Sequence, residues 1–252
     1  MSLTARLPGR TARGPRSLFG RIVSAAVAAG LLAGLALTAV QMVAVTPIIL
    51  KAEVFEDAAA PAAPAVPAPA HAHADADAHG HHHEHAGWKP ENGVERTLFT
   101  VLADITMGVA CALLLCAALT LRGSRPSWRQ GLLWGVAGYL AVFVAPSLGL
   151  PPELPGTSAA PLGERQLWWA MAAVATAGGM GLIAFGRSWL WALAGVLLLA
   201  APQLVNAPQP LVHTSAAPED LAHAFRLASA FTNAVFWLVL GSLAAVFYNK
   251  FE

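Results

Sequence analysis

The chain has 252 residues, of which 56% are hydrophobic and 12% are charged, and its formal net charge is +1. Soluble domains usually carry about 25% charged residues, so this composition excludes an ordinary soluble protein and indicates a membrane protein. The nearly balanced charge also argues against a nucleic-acid partner, because such proteins present a concentrated basic face.

Apolar runs of about 20 residues recur along the chain, and each can cross a hydrocarbon core of about 30 Å as a helix. Lipid offers no hydrogen-bond partner to open backbone groups, and the alternating pattern of barrel strands is missing. The predicted fold class is therefore all-α, a polytopic membrane helical bundle with six transmembrane helices, or five. The runs are 22–45, 98–121, 131–150, 167–185, 189–205 and 227–247. The fifth is the weakest, because three residues separate it from the fourth and Pro202 kinks or ends it.

The runs divide the chain into four predicted parts. Residues 1–21 form a basic arm, 22–50 hold the first transmembrane helix, 51–97 form one long loop, and 98–252 contain the remaining helices. The first run has about 24 residues, whereas signal peptides have apolar regions of about 7–15, so we expect a retained helix and not a cleaved signal.

Lys and Arg are distributed unevenly between the two predicted sides. With six spans, ten of the fifteen fall on the side that holds both chain ends. The positive-inside rule therefore predicts cytoplasmic termini and an external loop 51–97.

The long loop combines two unusual compositions. A proline- and alanine-rich stretch, AAAPAAPAVPAPA, precedes HAHADADAHGHHHEHAG at 71–87, and seven of the nine histidines lie within 71–85. Neither stretch can bury a core, so we expect residues 57–86 to be disordered without metal.

The histidine tract, defined as residues 71–85, predicts divalent-metal binding. Neutral imidazole and carboxylate are ligands for zinc, copper, nickel and cobalt, and these spacings give many overlapping ligand sets, which favours capture over selection. Capture should weaken below about pH 6.5, because binding needs unprotonated imidazole. The alternatives are a solubilising loop or a purification tag, although a tag would normally be a uniform terminal run. The predicted ligands are His71, His73, Asp75, Asp77, His79, His81, His82, His83, Glu84 and His85.

A second set of candidates follows from polar groups near or inside the spans. Asp104 is the one carboxylate within a predicted span, and such groups are costly enough to be functional candidates. Met107 and Cys111 follow at i+3 and i+7, so the three should share a helix face and could line an ion path. The alternative places Asp104 near the outer interface, with ordinary packing roles for the other two. His223, spaced i+3 from Asp220, is a further path candidate or simply a surface histidine beside a helix cap.

Other features predict helix contacts. Thr38 and Gln41 in the first span, with Thr232 and Asn233 in the last, are expected to hydrogen-bond between helices, and the Gly30-xxx-Gly34 spacing allows close helix approach. Cys111 and Cys116 lie about 140° apart on one helix and predict no disulfide.

Common catalytic motifs are missing. The sequence contains no GxxxxGK[ST], HExxH or GxSxG pattern. We therefore expect no enzyme activity and no organic cofactor.

Several segments together resemble the CbtA-type family of proposed cobalt transporter subunits. They are LLAGLALTAVQMVAVTPIILKAEVFE, the histidine-rich loop, GWKPENGVERTLFTVLADITMGVACALLL, GLPPELPG and LGERQLWW. The resemblance covers about residues 20–250 and implies a bacterial inner-membrane protein that imports cobalt for cobalamin-type cofactor synthesis. It also implies five spans, as usually described for the family. Glu153 and Glu164 are motif residues to which it assigns no role; structurally, they would brace an outer turn.

The sequence therefore predicts an inner-membrane transporter subunit that captures a divalent metal outside for import: cobalt, with nickel or zinc as alternatives. The expected partners are the lipid bilayer and a small CbtB-type subunit with one membrane helix, and homo-oligomerisation is left open. Two other interpretations remain: a metal-buffering or sensing membrane protein without its own ion path, and a metal-efflux protein.

Overall fold

A computed structural model describes residues 17–59, 90–123 and 125–251. Within them the one β-type pairing is an isolated bridge between Thr157 and Ser215. The helices are α1 (Leu18–Ala44), α2 (Thr46–Ala59), α3 (Val94–Arg122), α4 (Trp128–Tyr139), a π-helical segment (Leu140–Val144), α5 (Ala145–Ser147), α6 (Leu162–Phe185), α7 (Trp189–Val205) and α8 (Glu219–Lys250).

Five of these segments are long and apolar enough to cross a membrane: α1, α3, the run Trp128–Ser147, α6 and α8. The all-α polytopic bundle expected from the sequence is therefore confirmed. The predicted fifth run forms α7, which has 17 residues and is shorter than the others. The predicted first helix, 22–50, is divided at Val45, and α2 extends the helical chain to Ala59.

Prolines account for the breaks within the spans. Pro47 cannot donate a backbone hydrogen bond, and it lies in the first turn of α2, just after the break from α1. Pro146 in the third span likewise cannot donate a backbone hydrogen bond. There α4 changes into the π-helical segment, which ends two residues before Pro146. Gln203 of α7 donates to the Ala145 carbonyl at 3.0 Å, so this irregular stretch is also tied to a neighbouring helix.

The end of the bundle at which α1 begins and α8 ends is called the terminal end. There Tyr248, near the end of α8, accepts a hydrogen bond from Arg21 near the start of α1 and makes a 2.9 Å hydrogen bond with Thr120 near the end of α3. Asn249 donates to the Pro126 carbonyl just before α4, at 2.7 Å. The start of α1 and α4 and the end of α3 and α8 therefore lie together.

The opposite end is named the cap end, because the loops 148–161 and 206–218 cover it. Ser158 joins the two loops by donating to the Val212 carbonyl at 2.7 Å. Arg96, at the start of α3, pairs with Glu53 of α2 at 2.7 Å. A small apolar cluster adds Ala52, Leu154 and Ala217 to the same end, so α8 also begins there.

Helix α7 carries the chain back between the two ends. Helix α6 starts beside the cap loops and ends near the first turns of α4, where Phe185 stacks on Trp134 with ring centroids 6.3 Å apart. The 17 residues of α7 span about 26 Å, close to the hydrocarbon thickness of about 30 Å. Within the described residues, six helical passes thus connect the ends, and Ser17 and Phe251 both lie at the terminal end.

Small residues allow the core helices to pack at backbone distance. A Cβ atom added to Gly30 would lie 2.4 Å from the Val109 Cα, and one added to Gly34 would lie 2.7 Å from the Asp104 carbonyl oxygen. The close approach expected from Gly30-xxx-Gly34 is therefore confirmed. Helix α1 also packs against α8, and the shared apolar core includes residues spaced by four on each helix: Ala25, Ala29, Ala33 and Leu37 of α1, and Phe236, Leu240 and Ala244 of α8.

Charged residues are sorted between the two ends. Among the described residues, the terminal end holds six cations and no acid: Arg21, Arg122, Arg125, Arg129, Arg187 and Lys250. The cap end holds four cations, Lys51, Arg96, Arg165 and Arg226. It also holds nine acids, Glu53, Glu56, Asp57, Glu91, Glu95, Glu153, Glu164, Glu219 and Asp220. Asp104 is the one remaining described acid and lies inside the bundle.

Candidate metal-handling site

The histidine tract lies outside the described residues, so its predicted ligands keep the status of a sequence prediction. Its neighbours on both sides are described: α2 ends at Ala59, and the chain resumes at Pro90 ahead of α3. The Glu53–Arg96 ion pair holds these two helices together at the cap end. Both attachment points of the tract therefore lie at the acidic end of the bundle.

Asp104 belongs to α3, and its carboxyl group accepts a hydrogen bond from α1. The Thr38 hydroxyl donates to Asp104 Oδ2 at 2.7 Å, and the Gln41 side chain is the second polar neighbour of the carboxyl group. Thr38 also lies 3.2 Å from the Gly34 carbonyl oxygen, and its single proton can serve only one acceptor at a time. The interhelical hydrogen bonds expected of Thr38 and Gln41 are therefore confirmed. The expectation is wrong for Asn233, whose side chain donates within α8 to the Ser229 carbonyl at 3.0 Å.

Two buried hydroxyl groups of α8 lie at a depth in the bundle similar to that of Asp104. Asp104 precedes Thr120 by sixteen residues, and Thr232 precedes Tyr248 by sixteen, while Thr120 and Tyr248 are hydrogen-bonded to each other. Since α3 and α8 run in the same direction, Asp104 and Thr232 lie at one depth, about 24 Å from that contact. Thr232 is 2% exposed, and its hydroxyl has no partner among the described residues. Ser229 is buried one turn nearer the cap end.

The other predicted path residues do not form one group with Asp104. Cys111 is buried on the same face of α3, two turns further along, but Met107 is 57% exposed on the outside of the bundle. The neighbouring helices bury Asp104 and Cys111 and leave Met107 exposed, so Met107 is not covered by the described bundle; that the three residues line one ion path stays a prediction. His223 is exposed near the start of α8.

The described residues contain no group of three or more His, Cys, Asp or Glu side chains that could hold a metal ion. Near His223, the Glu219 carboxylate is paired with Arg226. Inside the bundle, the side-chain oxygen atoms of Asp104, Thr38 and Gln41 are the groups that could contact a metal ion. Oxygen ligands of this kind do not by themselves select cobalt over other divalent ions.

The cap loops form an open cleft of about 1020 Å³, bordered by the PPELPG loop and the first turns of α6. Arg165 donates to Glu153 at 2.9 Å across this border, so the bracing role expected of Glu153 is confirmed. Trp168 is buried beneath the loop, and a Cβ added to Gly149 would come within 2.3 Å of its ring.

Sequence reasoning named Glu153 but missed its partner Arg165, and it also missed the Glu53–Arg96 pair. Residues 153 and 165 are twelve positions apart and 53 and 96 are forty-three apart, so neither pair follows from helix spacing. The available signal was the small number of cations in the predicted external loops, which hold five Lys and Arg residues against twelve acids.

The comparisons with known proteins agree with this architecture. No curated protein and no solved structure gave a significant match. The sequence model of the CbtA family, described as a probable cobalt transporter subunit, matches residues 19–249. That match spans every described helix except the first residue of α1 and the last of α8, and it includes both attachment points of the histidine tract. The chain therefore belongs to the CbtA family of probable cobalt transporter subunits.

Proposed function

We propose that this chain is the membrane-embedded subunit of a divalent-cation importer, with cobalt as substrate and nickel or zinc as alternatives, and that its histidine tract captures the ion on the outer face of the bacterial inner membrane. The observation that carries the proposal is the common position of the two attachment points of the tract, at the cap end and opposite both described chain ends.

Charge distribution supports the orientation. The terminal end carries six of the ten described cations, and the arm that precedes it adds Arg6, Arg10, Arg13 and Arg16. At the cap end three of the four cations are paired with acids: Arg96, Arg165 and Arg226. An excess of Lys and Arg marks the cytoplasmic side, which makes the cap end external.

An external tract suits import on electrostatic grounds. The tract carries histidines and acids in its sequence, and its described attachment points are at the end of the bundle that holds nine described acids, so divalent cations would be concentrated at that end. A potential that is negative inside favours entry of a dication by about 4.6 kcal/mol per 100 mV, twice the value for a single charge. Uptake therefore does not require this chain to hydrolyse ATP.

Asp104 is the proposed contact for an ion inside the bundle, with Cys111 further along α3 and His223 at the outer entry. In the described conformation Thr38 donates to the Asp104 carboxylate. An entering ion would replace that donor and would have to open the α1–α3 contact. This requirement supports a path completed by a second subunit, for which we propose a small CbtB-type protein with one membrane helix.

The capture role is tested by uptake of radioactive cobalt in cells that express the chain. Replacing all seven histidines of 71–85 by glutamine should reduce uptake at limiting metal and spare it at high metal, because only collection is impaired. The matched control is His213→Gln, which removes a cap-end histidine that belongs neither to the tract nor to the proposed path and should leave uptake unchanged. Equal uptake by the seven-histidine variant and the parent at both concentrations would contradict capture.

Flux into proteoliposomes with and without the companion subunit separates transport from buffering. Flux in either preparation supports a transporter, whereas binding without flux in both supports the buffering interpretation. Growth of a deletion strain separates direction: sensitivity to cobalt starvation supports import, and sensitivity to cobalt excess supports efflux.

A further inference from the structure

The membrane-facing side of the bundle contains a groove of about 620 Å³. Its walls are α3 and α6, and its floor is α4 with the π-helical segment. The lining is apolar along most of its length and includes Leu114, Ala118, Ala137 and Gly181. Its polar lining residues are Arg122 and Gln130, both at the terminal end.

The length of the groove corresponds to one leaflet of a bilayer. On α3 it extends from Cys111 to Arg122, and on α4 and the π-helical segment from Gln130 to Val142. These eleven and twelve residue steps correspond to about 17 and 18 Å. Half of a hydrocarbon core of about 30 Å is about 15 Å, so the groove reaches only the middle of the membrane.

The mouth of the groove is suited to an anionic group. Arg122 is exposed and has no acidic partner among the described residues, and the terminal end as a whole has no described acid. The Gln130 side-chain oxygen accepts from the Ser127 backbone at 2.9 Å, which leaves its amide N–H groups as donors toward the mouth.

We propose that this groove binds one anionic phospholipid from the leaflet at the terminal end, with its phosphate at Arg122 and Gln130 and an acyl chain between α3 and α6. Basic pockets between membrane helices are a recognised setting for anionic headgroups. A partner helix would need a groove through the full hydrocarbon thickness, whereas this one has a single polar mouth and ends at mid-membrane. The inference is independent of the transported metal.

The test is native mass spectrometry of the purified full chain in detergent, titrated with phosphatidylglycerol or phosphatidylcholine. The parent should bind phosphatidylglycerol more tightly. Arg122→Gln should weaken that affinity about fivefold and weaken phosphatidylcholine binding less, because the choline cation of that lipid offsets the charge of its phosphate. The matched control is Lys250→Gln, which removes a cation from the same end outside the groove and should behave as the parent does. Equal losses in the two variants, or no preference in the parent, would overturn the proposal.

A second variant tests the apolar part. A Cβ added to Gly181 meets no atom within 4 Å, so Gly181→Leu should fold, with its side chain occupying space that the acyl chain needs. We expect it to lower affinity for both lipids without lowering the thermal midpoint measured without lipid. Unchanged lipid affinity in this variant would exclude the groove as the binding site.

Discussion

Asp104 is a buried carboxyl group whose neighbours come from another helix. Thr38 and Gln41 of α1 supply its polar contacts. The chain has no charged residue between Arg21 of α1 and Lys51 of α2. In lipid such a group is retained only where hydrogen bonds compensate for lost water. Its best-supported role is therefore to join α1 to α3, and its proposed contact with an ion would compete with that role.

A double-mutant cycle on Thr38→Val and Asp104→Ala measures this contact, because alanine removes the oxygen that accepts from Thr38. Because the hydroxyl donates directly to the carboxylate, we expect a coupling free energy of about 0.6–2 kcal/mol for unfolding in mixed detergent. Thr106→Val provides the comparison, since that exposed hydroxyl bonds only within α3, to the Leu102 carbonyl. A coupling energy near zero would show that the two side chains act independently.

At the level of helices, glycine determines which surfaces can meet. Gly30, Gly34 and Gly108 bring the backbones of α1 and α3 together, and Gly179 with Gly195 does the same for α6 and α7. Without a hydrophobic driving force between helices in lipid, such close packing supplies much of the association energy. The bundle should therefore be sensitive to single added methyl groups at these positions.

Gly30→Ala should destabilise the bundle by about 1–3 kcal/mol, because its Cβ would lie 2.4 Å from the backbone of α3 and the helices must separate. Thermal unfolding in detergent, followed by circular dichroism, measures the loss. Gly163→Ala is the matched control, since an added Cβ there meets nothing within 4 Å. It should leave the midpoint unchanged or slightly higher; a similar drop in both variants would exclude the packing explanation.

For the whole molecule, the number of passes decides which loops share a side. Five helices have the length and hydropathy of a span, yet α7 also connects the two ends. If the number of membrane passes is even, the α6–α7 turn lies on the same side of the membrane as Ser17 and Phe251. The cap loops then lie on the other side. Length alone leaves α7 ambiguous, because its 17 residues lie at the lower limit for a span.

Cysteine labelling on intact cells tests this topology. Ser188→Cys at the α6–α7 turn should react with an impermeant reagent only after lysis, and His213→Cys in the cap loop should react before lysis. The two native cysteines, Cys111 and Cys116, are buried and give low background. Labelling of both positions from outside would mean that α7 does not return across the membrane.

The sequence by itself determined the membrane class, the helical bundle, the glycine contact and the family, because these follow from local composition, periodicity and motifs. Its ambiguity about five or six spans reflects a real property of α7. It also singled out Thr38 and Asp104, since polar groups are rare in apolar runs.

Only the tertiary structure decided which of these residues meet. Met107 and Cys111 follow Asp104 on one helix, but the neighbours of α3 cover only a narrow strip of its surface, and that strip excludes Met107. The pairs Glu53–Arg96 and Glu153–Arg165 and the groove beside Arg122 depend on how distant segments pack. Contacts of this kind arise from long-range packing, which periodicity along a single helix does not encode.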